Sequence, residues 1–240
     1  MRAAAQNGRA RTKLGTRAQP EQTRAAILDA ARSEFSREGL AGARTDAIAK
    51  AAGVNKALLY YYFHDKEALY AAVLDRVFTG LQATINEALD RPGSPRERLL
   101  AYAGAHFDYI AGNLEYPRLM SRELMRARFE KAGPAQKNLR RLVATYFQPV
   151  FRRVSGVIEE GIASGDFRPV HAMHFLLTIV ASIVFYFIST PVLQAVTGID
   201  PLTPERLAER RAAVLDFVSA ALFVPTVEAG TKSAKKRSRS

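Results

Sequence analysis

Cysteine is absent from the 240-residue sequence. A chain without cysteine forms neither a disulfide framework nor a thiolate metal site, so a reducing cytoplasm is the expected location. A secretory signal is also not expected, because no apolar stretch follows the basic N-terminus. With 48% hydrophobic and 24% charged residues, the composition is that of an ordinary globular protein.

Formal charge is missing from residues 172–199, and the run FLLTIVASIVFYFI at 175–188 is almost entirely apolar. This run has 14 residues, fewer than the roughly 20 that a bilayer-spanning helix needs. We therefore expect no membrane partner. We interpret the segment as a core helix that also faces a second subunit, and the alternative is a helix in the core of one subunit alone.

Common catalytic and phosphate-binding motifs are missing as well, including HExxH, GxSxG, GxGxxG and the P-loop. His171 and His174 have the i, i+3 spacing of metal ligands, but the neighbouring sequence supplies no third ligand. We therefore expect no metal, no cofactor and no enzymatic activity.

The net charge of +12 is concentrated at the two ends of the chain. Residues 1–19 contain five basic and no acidic residues, and residues 225–240 contain five basic residues against one glutamate. These segments are predicted to be disordered basic tails. They either solvate the protein or add an affinity for nucleic acid that falls steeply with salt.

Helical periodicity runs through nearly all of the sequence after residue 20, and no strand-like alternation competes with it. Ile27, Ala31 and Phe35 recur at every fourth position, and Ser94 and Glu97 have the spacing of a capping box. A long helix after residue 134 is expected to bend at Pro149. The pattern predicts an all-α protein of about nine helices.

Two short helical patterns, at 45–52 and 56–63, flank a turn that contains Gly53. Ala49 is small where two such helices would cross, and Gly53 can adopt the left-handed conformation that ends the first helix. The apolar contacts expected between this pair and the preceding helix come from Ile48, Val54 and Leu59. This spacing is typical of a helix-turn-helix.

On these residues, the segment from Thr23 to Leu81 resembles the DNA-binding domain of TetR-family transcriptional regulators. The resemblance is carried by Thr45, Ile48, Ala49, Ala52, Gly53, Val54, Leu59, Tyr60, Phe63, Lys66 and Leu69. Asn55, Ala57 and Tyr62 replace the serine, glycine and histidine that are common in the family. These departures should alter which base sequence is read, or how closely the helix approaches, rather than whether DNA is bound.

The second helix of a helix-turn-helix lies in the major groove with its first residues near the base edges. Lys56 is therefore predicted to bind guanine, and the methyl group of Ala57 to contact a thymine methyl. Tyr60 and Tyr61 lie about one turn further on and are predicted to donate to phosphates.

Leu59 and Phe63 are expected to pack against the supporting helix. Thr45 and Lys66 begin helices and are predicted to bind flanking phosphates, aided by the positive helix ends. The resemblance adds Asn55 and Tyr62 to the DNA-binding residues, although Tyr62 could instead pack on the surface.

The resemblance also implies a DNA-binding domain at 20–81 and a ligand-binding and dimerisation domain at 82–224. Its partners would be a second copy of the chain, a palindromic DNA operator and a small-molecule effector enclosed by helices between residues 65 and 189. Polar or amphipathic residues on apolar stretches are the candidate effector ligands, and their aromatic character favours flat or apolar molecules. These candidates are His106, Tyr109, Arg122, Tyr146 and Tyr186.

The function predicted from the sequence is therefore a sequence-specific DNA-binding regulator, most simply a repressor that its ligand releases from the operator. Two alternatives remain open. The first is a non-specific nucleic-acid-binding protein driven by the basic tails, and the second is a helical enzyme or small-molecule carrier.

Overall fold

The computed structural model describes residues 19–130 and 132–225, and it confirms the all-α fold. Its helices are α1 Gln19–Gly42, α2 Thr45–Ala51, α3 Lys56–Phe63, α4 Lys66–Asp90, α5 Pro95–Ala111, α6 Glu115–Phe129, α7 Pro134–Leu142, α8 Gln148–Ala163, α9 Ala172–Ile188, α10 Thr190–Thr197 and α11 Pro204–Leu222. Apart from Gln19 and Pro225, the predicted basic tails lie outside the described residues.

The described residues form eleven α-helices rather than about nine. One additional helix is α10, which follows α9 at an angle of 65°. The other arises because a π-helical turn at Val143–Phe147 divides the long helix predicted after residue 134. This π-helical turn ends two residues before Pro149, and the bend expected at Pro149 stays a prediction.

Pro149 has no N–H group to donate to the carbonyl of Thr145, four residues earlier. The side-chain amide of Gln82 on α4 supplies a hydrogen bond to that oxygen instead, at 3.2 Å. A break in the helix therefore leaves no unpaired carbonyl at this position, because a residue far away in the sequence satisfies it.

The chain divides into two compact units. The first contains the residues up to Val77 together with Arg118–Arg122, and the second contains Phe78–Pro117 and the residues from Glu123 onwards. The domain boundary predicted after residue 81 stays a prediction.

The first unit has a core of large apolar side chains from α1 to α4. Ile48 and Leu59 are fully buried, as expected for a helix-turn-helix, whereas Val54 is only half-buried. Phe35 and Tyr70 meet edge to face with ring centroids 5.1 Å apart. The other fully buried members are Ile27, Ala31, Leu69 and Leu74.

Gly39 interrupts α1 with a φ of 70°, in the left-handed region that favours glycine. The guanidinium of Arg122 lies against it and donates to the carbonyl of Arg37 at 2.9 Å. A charged side chain thus satisfies a helix carbonyl where the regular backbone pattern stops.

The second unit is built around α5, whose apolar face is buried along its whole length. The predicted capping box is present at its start: Ser94 Oγ accepts from the Glu97 N–H, and the Glu97 carboxylate accepts from the Ser94 N–H. Buried residues of α8, α9 and α11 complete the core, namely Val154, Val157, Ile158, Leu176, Ile179, Ile183, Phe187, Val214, Val218 and Leu222.

An isolated antiparallel bridge between Phe167 and Phe223 fixes the end of α11. The two rings stack with centroids 5.2 Å apart, and the guanidinium of Arg96 lies 5.1 Å from the Phe223 centroid. Arg96 also donates to the carboxylate of Asp166 at 3.1 Å and to the carbonyl of Val224. The end of α11 is thereby held to the loop that precedes α9.

Taken singly, none of the helices in the described ranges is long and apolar enough to cross a membrane. The bent pair α9 and α10 passes the same test when its two helices are taken together. One such pair is weak evidence, because core helices of other proteins pass it too.

Two glycines of α8 provide a matched test of the packing around this helix. A Cβ at Gly161 would overlap the ring of Phe167, whereas a Cβ at the exposed Gly156 would meet nothing within 4 Å. We expect Gly161→Ala to lower the free energy of unfolding by about 1–3 kcal/mol. Gly156→Ala should raise it by up to about 1 kcal/mol. Urea unfolding checks both, and equal effects of the two substitutions would contradict this packing.

Candidate functional site

The turn between α2 and α3 has the geometry that a helix-turn-helix requires. Gly53 adopts a φ of 69° directly after Ala52, the residue that ends α2. The N–H of Val54 then returns to the carbonyl of Ala49 at 3.0 Å. Ala49 is buried, in agreement with its expected place at the crossing of the helices.

Asn55 begins α3 by accepting a hydrogen bond from the Leu58 N–H at 2.8 Å. This is the standard bond of an N-cap residue, and it fixes where the helix starts. Lys56 and Ala57 are consequently the first two residues of α3, and both are exposed. The Lys56 ammonium lies 3.1 Å from the carboxylate of Asp46 on α2, in an ion pair that solvent reaches on both sides.

The three consecutive tyrosines have three different surroundings. Tyr61 is the most exposed, at 81%, whereas Tyr60 is 37% exposed. The hydroxyl of Tyr60 shares a hydrogen bond of 3.3 Å with that of Thr45, whose side chain is buried. Tyr62 is half-buried and packs edge to face against Tyr61, with centroids 5.4 Å apart.

Leu59 and Phe63 are buried on the opposite face of α3, as predicted. The guanidinium of Arg24 on α1 lies 5.0 Å from the centre of the Phe63 ring. Contacts between a cation and an aromatic ring add to the apolar packing of α3 on α1.

Lys66 begins α4, as predicted, and its ammonium is engaged within the protein. It donates to the carbonyls of Ala41 and Ala43 at 3.3 and 3.1 Å, where α1 ends. The ammonium of Lys66 thus satisfies carbonyl groups at the end of α1 that have no partner within that helix.

Asp46 was not among the residues predicted from the sequence, although it holds Lys56. The spacing of ten residues across a turn gives no periodic signal for such a pair. Arg44, which is exposed immediately before α2, was also not among the residues predicted from the sequence. Its backbone N–H donates to the carboxylate of Glu34 at 3.2 Å.

In the second unit, five aromatic residues form a group that we call the aromatic cluster: Phe78, Tyr109, Tyr116, Tyr146 and Phe147. The ring centroid of Phe78 lies 5.5 Å from that of Tyr116, 5.8 Å from that of Tyr146 and 5.1 Å from that of Phe147. Tyr109 meets Tyr116 edge to face at 6.4 Å. Two predicted ligand residues, Tyr109 and Tyr146, are therefore brought into one group.

The π-helical turn contributes both Tyr146 and Phe147 to this cluster. Tyr146 is buried, and its hydroxyl accepts a hydrogen bond from Thr79 at 3.2 Å. Single π-helical turns within α-helices are frequent at functional sites, because they change the direction of a few side chains without ending the helix.

His106 on α5 is only 4% exposed, and neither of its ring nitrogens has a hydrogen-bond partner among the described residues. Its ring centroid lies 5.8 Å from that of Tyr102, one turn earlier on α5. Burial lowers the pKa of His106 to about 4, so the imidazole is neutral at pH 7. Burial also raises the pKa of Tyr102 and Tyr116, and both phenols stay protonated.

The other two predicted ligand residues have partners within the protein. Arg122 is exposed in the first unit and holds the carbonyl of Arg37. The Tyr186 hydroxyl donates to the carbonyl of Pro201 at 2.6 Å. The guanidinium of Arg210 lies over the Tyr186 ring, 5.3 Å from the centroid of that ring. Burial raises the pKa of Tyr186, with smaller contributions from neighbouring charges.

His171 and His174 lie at the start of α9 with ring centroids 4.7 Å apart. Across residues 19–130 and 132–225, no group of three or more metal-ligating side chains comes together.

A helix-turn-helix followed by a helical unit defines a class of DNA-binding regulators. Residues 27–73 match the family of bacterial regulatory proteins named for tetR, and residues 95–218 match the tetracyclin repressor-like C-terminal domain. The chain belongs to the TetR family, and it is a DNA-binding transcriptional regulator.

Individual relatives agree with this assignment. The chain is 30% identical to the HTH-type transcriptional repressor NicS of Pseudomonas putida over 73% of its own length and 80% of that protein. It is 42% identical to the HTH-type transcriptional repressor SCO4008 of Streptomyces coelicolor, over only 36% of its own length and 45% of that protein.

Among solved structures, the putative transcriptional regulator SCO4942 from Streptomyces coelicolor is similar to this chain with a TM-score of 0.64 and 30% identity. The similarity covers 85% of this chain and 99% of that one. Both units of the fold are thus shared with an experimentally determined regulator structure.

The neutral state of His106 makes the stability of the protein depend on pH. Burial lowers the pKa of its imidazole from 6.5, the value of the unfolded chain, to about 4 in the folded protein. Between these values the unfolded chain takes up a proton that the folded chain does not, so acidification should lower the free energy of unfolding. The loss should reach roughly 3 kcal/mol by about pH 4 and then stop.

Urea unfolding at several pH values measures this loss. His106→Gln should remove it, whereas the exposed His174→Gln should keep the dependence of the unchanged protein. If the free energy of unfolding of His106→Gln depended on pH as that of the unchanged protein does, His106 would not be the source of this loss.

Proposed function

We propose that this protein is a repressor that binds a palindromic operator as a homodimer and leaves it when a small molecule binds in the second unit. The observation that carries the proposal is the arrangement of α3. Its first residues and two of its tyrosines face solvent, while Leu59 and Phe63 fix its other side to the protein. Two relatives, NicS and SCO4008, are named repressors.

Lys56 is the residue we assign to base recognition. It begins α3, and the first residues of the second helix are the ones that reach base edges in a helix-turn-helix. Its ion pair with Asp46 restricts the ammonium to one side of the helix start. Exposed ion pairs of this kind are weak, so Lys56 can exchange the carboxylate for a guanine at small cost. Ala57 beside it is available to a thymine methyl.

Tyr61 is assigned to a phosphate, since it is the most exposed of the three tyrosines. Tyr60 is proposed to bind the backbone as well, with its hydroxyl oriented by Thr45. Such contacts fix the position of the helix on the duplex without reading its sequence.

Thr45, Asn55 and Lys66 support the proposal mainly as residues that position the reading helix. Thr45 bonds Tyr60, Asn55 caps α3, and Lys66 holds the end of α1. Tyr62 packs against Tyr61 and limits the directions in which its ring can turn.

Lys56→Ala and Tyr61→Phe should affect DNA binding differently. Lys56→Ala should cost about 1–3 kcal/mol at the base that it reads and relax specificity there. Tyr61→Phe should weaken binding to all sequences alike, since it removes only a phosphate donor. Fluorescence anisotropy with the operator and its single-base variants measures both effects.

The matched control is Lys137→Ala, which removes one exposed positive charge from α7 of the second unit. It should leave base preference unchanged. Unaltered base preference in Lys56→Ala as well would exclude the reading role of Lys56.

Dimerisation is supported by an apolar face of α9 that the single chain leaves uncovered. Met173, Leu177, Phe185 and Ile188 are exposed on α9, opposite its buried face. Exposed Val192 and Val196 continue the apolar surface on α10. Contiguous apolar surface of this kind is typical of interfaces, and most homo-oligomers are two-fold symmetric. We therefore assign this face to a second copy of the chain rather than to a membrane.

Phe185→Glu should convert the dimer into monomers, because it would bury two charges at the proposed two-fold interface. Light scattering on a size-exclusion column measures the mass, and operator affinity should fall in parallel since one subunit binds only a half-site. Leu124→Glu is the control: Leu124 is also exposed, at 43%, but lies on α6. A dimeric Phe185→Glu protein would rule out this interface.

The effector is assigned to the second unit, to His106 and the aromatic cluster. Buried aromatic side chains with a few polar groups are the usual lining of small-molecule sites. A ligand that prefers one conformation of the dimer shifts the population toward it, and the reading helices then no longer fit the operator. The proposed location is the cytoplasm, where such an operator is accessible.

A further inference from the structure

We infer that the effector is an uncharged molecule whose flat, apolar body lies against the aromatic cluster and whose single polar group forms a hydrogen bond with His106. This inference rests on the proposed function, because it specifies the ligand of the same regulator. It assigns the chemical class of the effector and the residue that selects it.

The first argument comes from the hydrogen bonds that His106 does not form. A neutral imidazole has one donor and one acceptor, and a buried polar atom without a partner lowers stability. Both ring nitrogens of His106 lack partners among the described residues. Phenylalanine or leucine would fill the same space in α5 without this cost. A ligand that supplies the missing hydrogen-bond partner therefore explains why a histidine occupies this buried position.

The second argument is the position of His106 relative to the aromatic cluster. Tyr102 lies beside His106, and Tyr109 follows one turn later on the same face of α5, since the three residues stand at i, i+4 and i+7. Tyr109 meets Tyr116 edge to face, and Tyr116 packs against Phe78. A continuous series of buried or half-buried rings thus extends from His106 to the cluster.

The third argument is the absence of charge from this series. Tyr102, Tyr109, Tyr116 and Tyr146 are phenols, Phe78 and Phe147 are apolar, and His106 is neutral at pH 7. The nearby Arg211 lies against Gly104 of α5, but it is half-buried and paired with Asp108 at 2.8 and 2.9 Å. A carboxylate or ammonium among these rings would lose its hydration without gaining a counter-ion.

The experiment uses naphthalene probes that share one body and differ in a single group: 2-naphthamide, 2-methylnaphthalene and 2-naphthoate. Calorimetry with the full-length protein at pH 7 measures their affinities. The neutral amide should bind best, and the anionic naphthoate at least about tenfold more weakly. Equal or tighter binding of naphthoate would overturn the inference, as would the failure of 2-naphthamide to bind at about 1 mM.

Substitutions at His106 test the hydrogen bond itself. His106→Phe should lose about tenfold in affinity for 2-naphthamide but bind 2-methylnaphthalene as the unchanged protein does. His106→Gln keeps a donor and an acceptor and should retain most of the amide affinity, which protects the test if His106→Phe fails to fold. Unchanged amide binding in a folded His106→Phe protein would overturn the role of His106.

Operator release separates this inference from the proposed function. If the protein binds no discrete operator, or no probe that binds displaces it, the repressor mechanism fails while the measured probe preference still stands. If charged probes bind best and release the operator, the repressor mechanism stands and the inference about the effector fails.

Discussion

An eight-residue helix is only marginally stable in water by itself, and the reading helix α3 has this length. Its position depends on the burial of Leu59 and Phe63 against the first unit, together with the N-cap bond from Asn55. These contacts leave Lys56, Ala57 and Tyr61 exposed on the same helix. In the proposed function, folding and recognition are therefore divided between two faces of the same short helix, and a change on its buried face would affect recognition without touching DNA.

Local features of the first unit were largely predictable from the sequence. Gly53, the small Ala49 and the buried Ile48 and Leu59 act within a few residues of one another, so a periodic pattern records them. The half-burial of Val54 and the Asp46–Lys56 pair were not predicted, since they depend on the angle at which the helices meet. The roles assigned to the exposed residues of α3 remain predictions.

The second unit was less predictable because distant residues determine its details. The hydrogen bond from Gln82 to the Thr145 carbonyl, which accompanies the π-helical turn, joins residues that no local pattern relates. Polar residues in apolar stretches were sensible ligand candidates, but the sequence cannot show which of them already have partners. Tyr186 bonds Pro201, whereas His106 bonds no described residue, and that difference determines which one is available to a ligand.

The π-helical turn at Val143–Phe147 holds one residue more than an α-helical turn would. In evolutionary terms it is equivalent to a single inserted residue. A relative one residue shorter here could continue from α7 into α8 as an ordinary α-helix. The side chains on the two sides of the deletion would then be rotated by about 100° relative to each other, which would turn Tyr146 and Phe147 away from Phe78. The length of this segment, together with the aromatic side chains of Tyr146 and Phe147, thus determines whether the aromatic cluster can form.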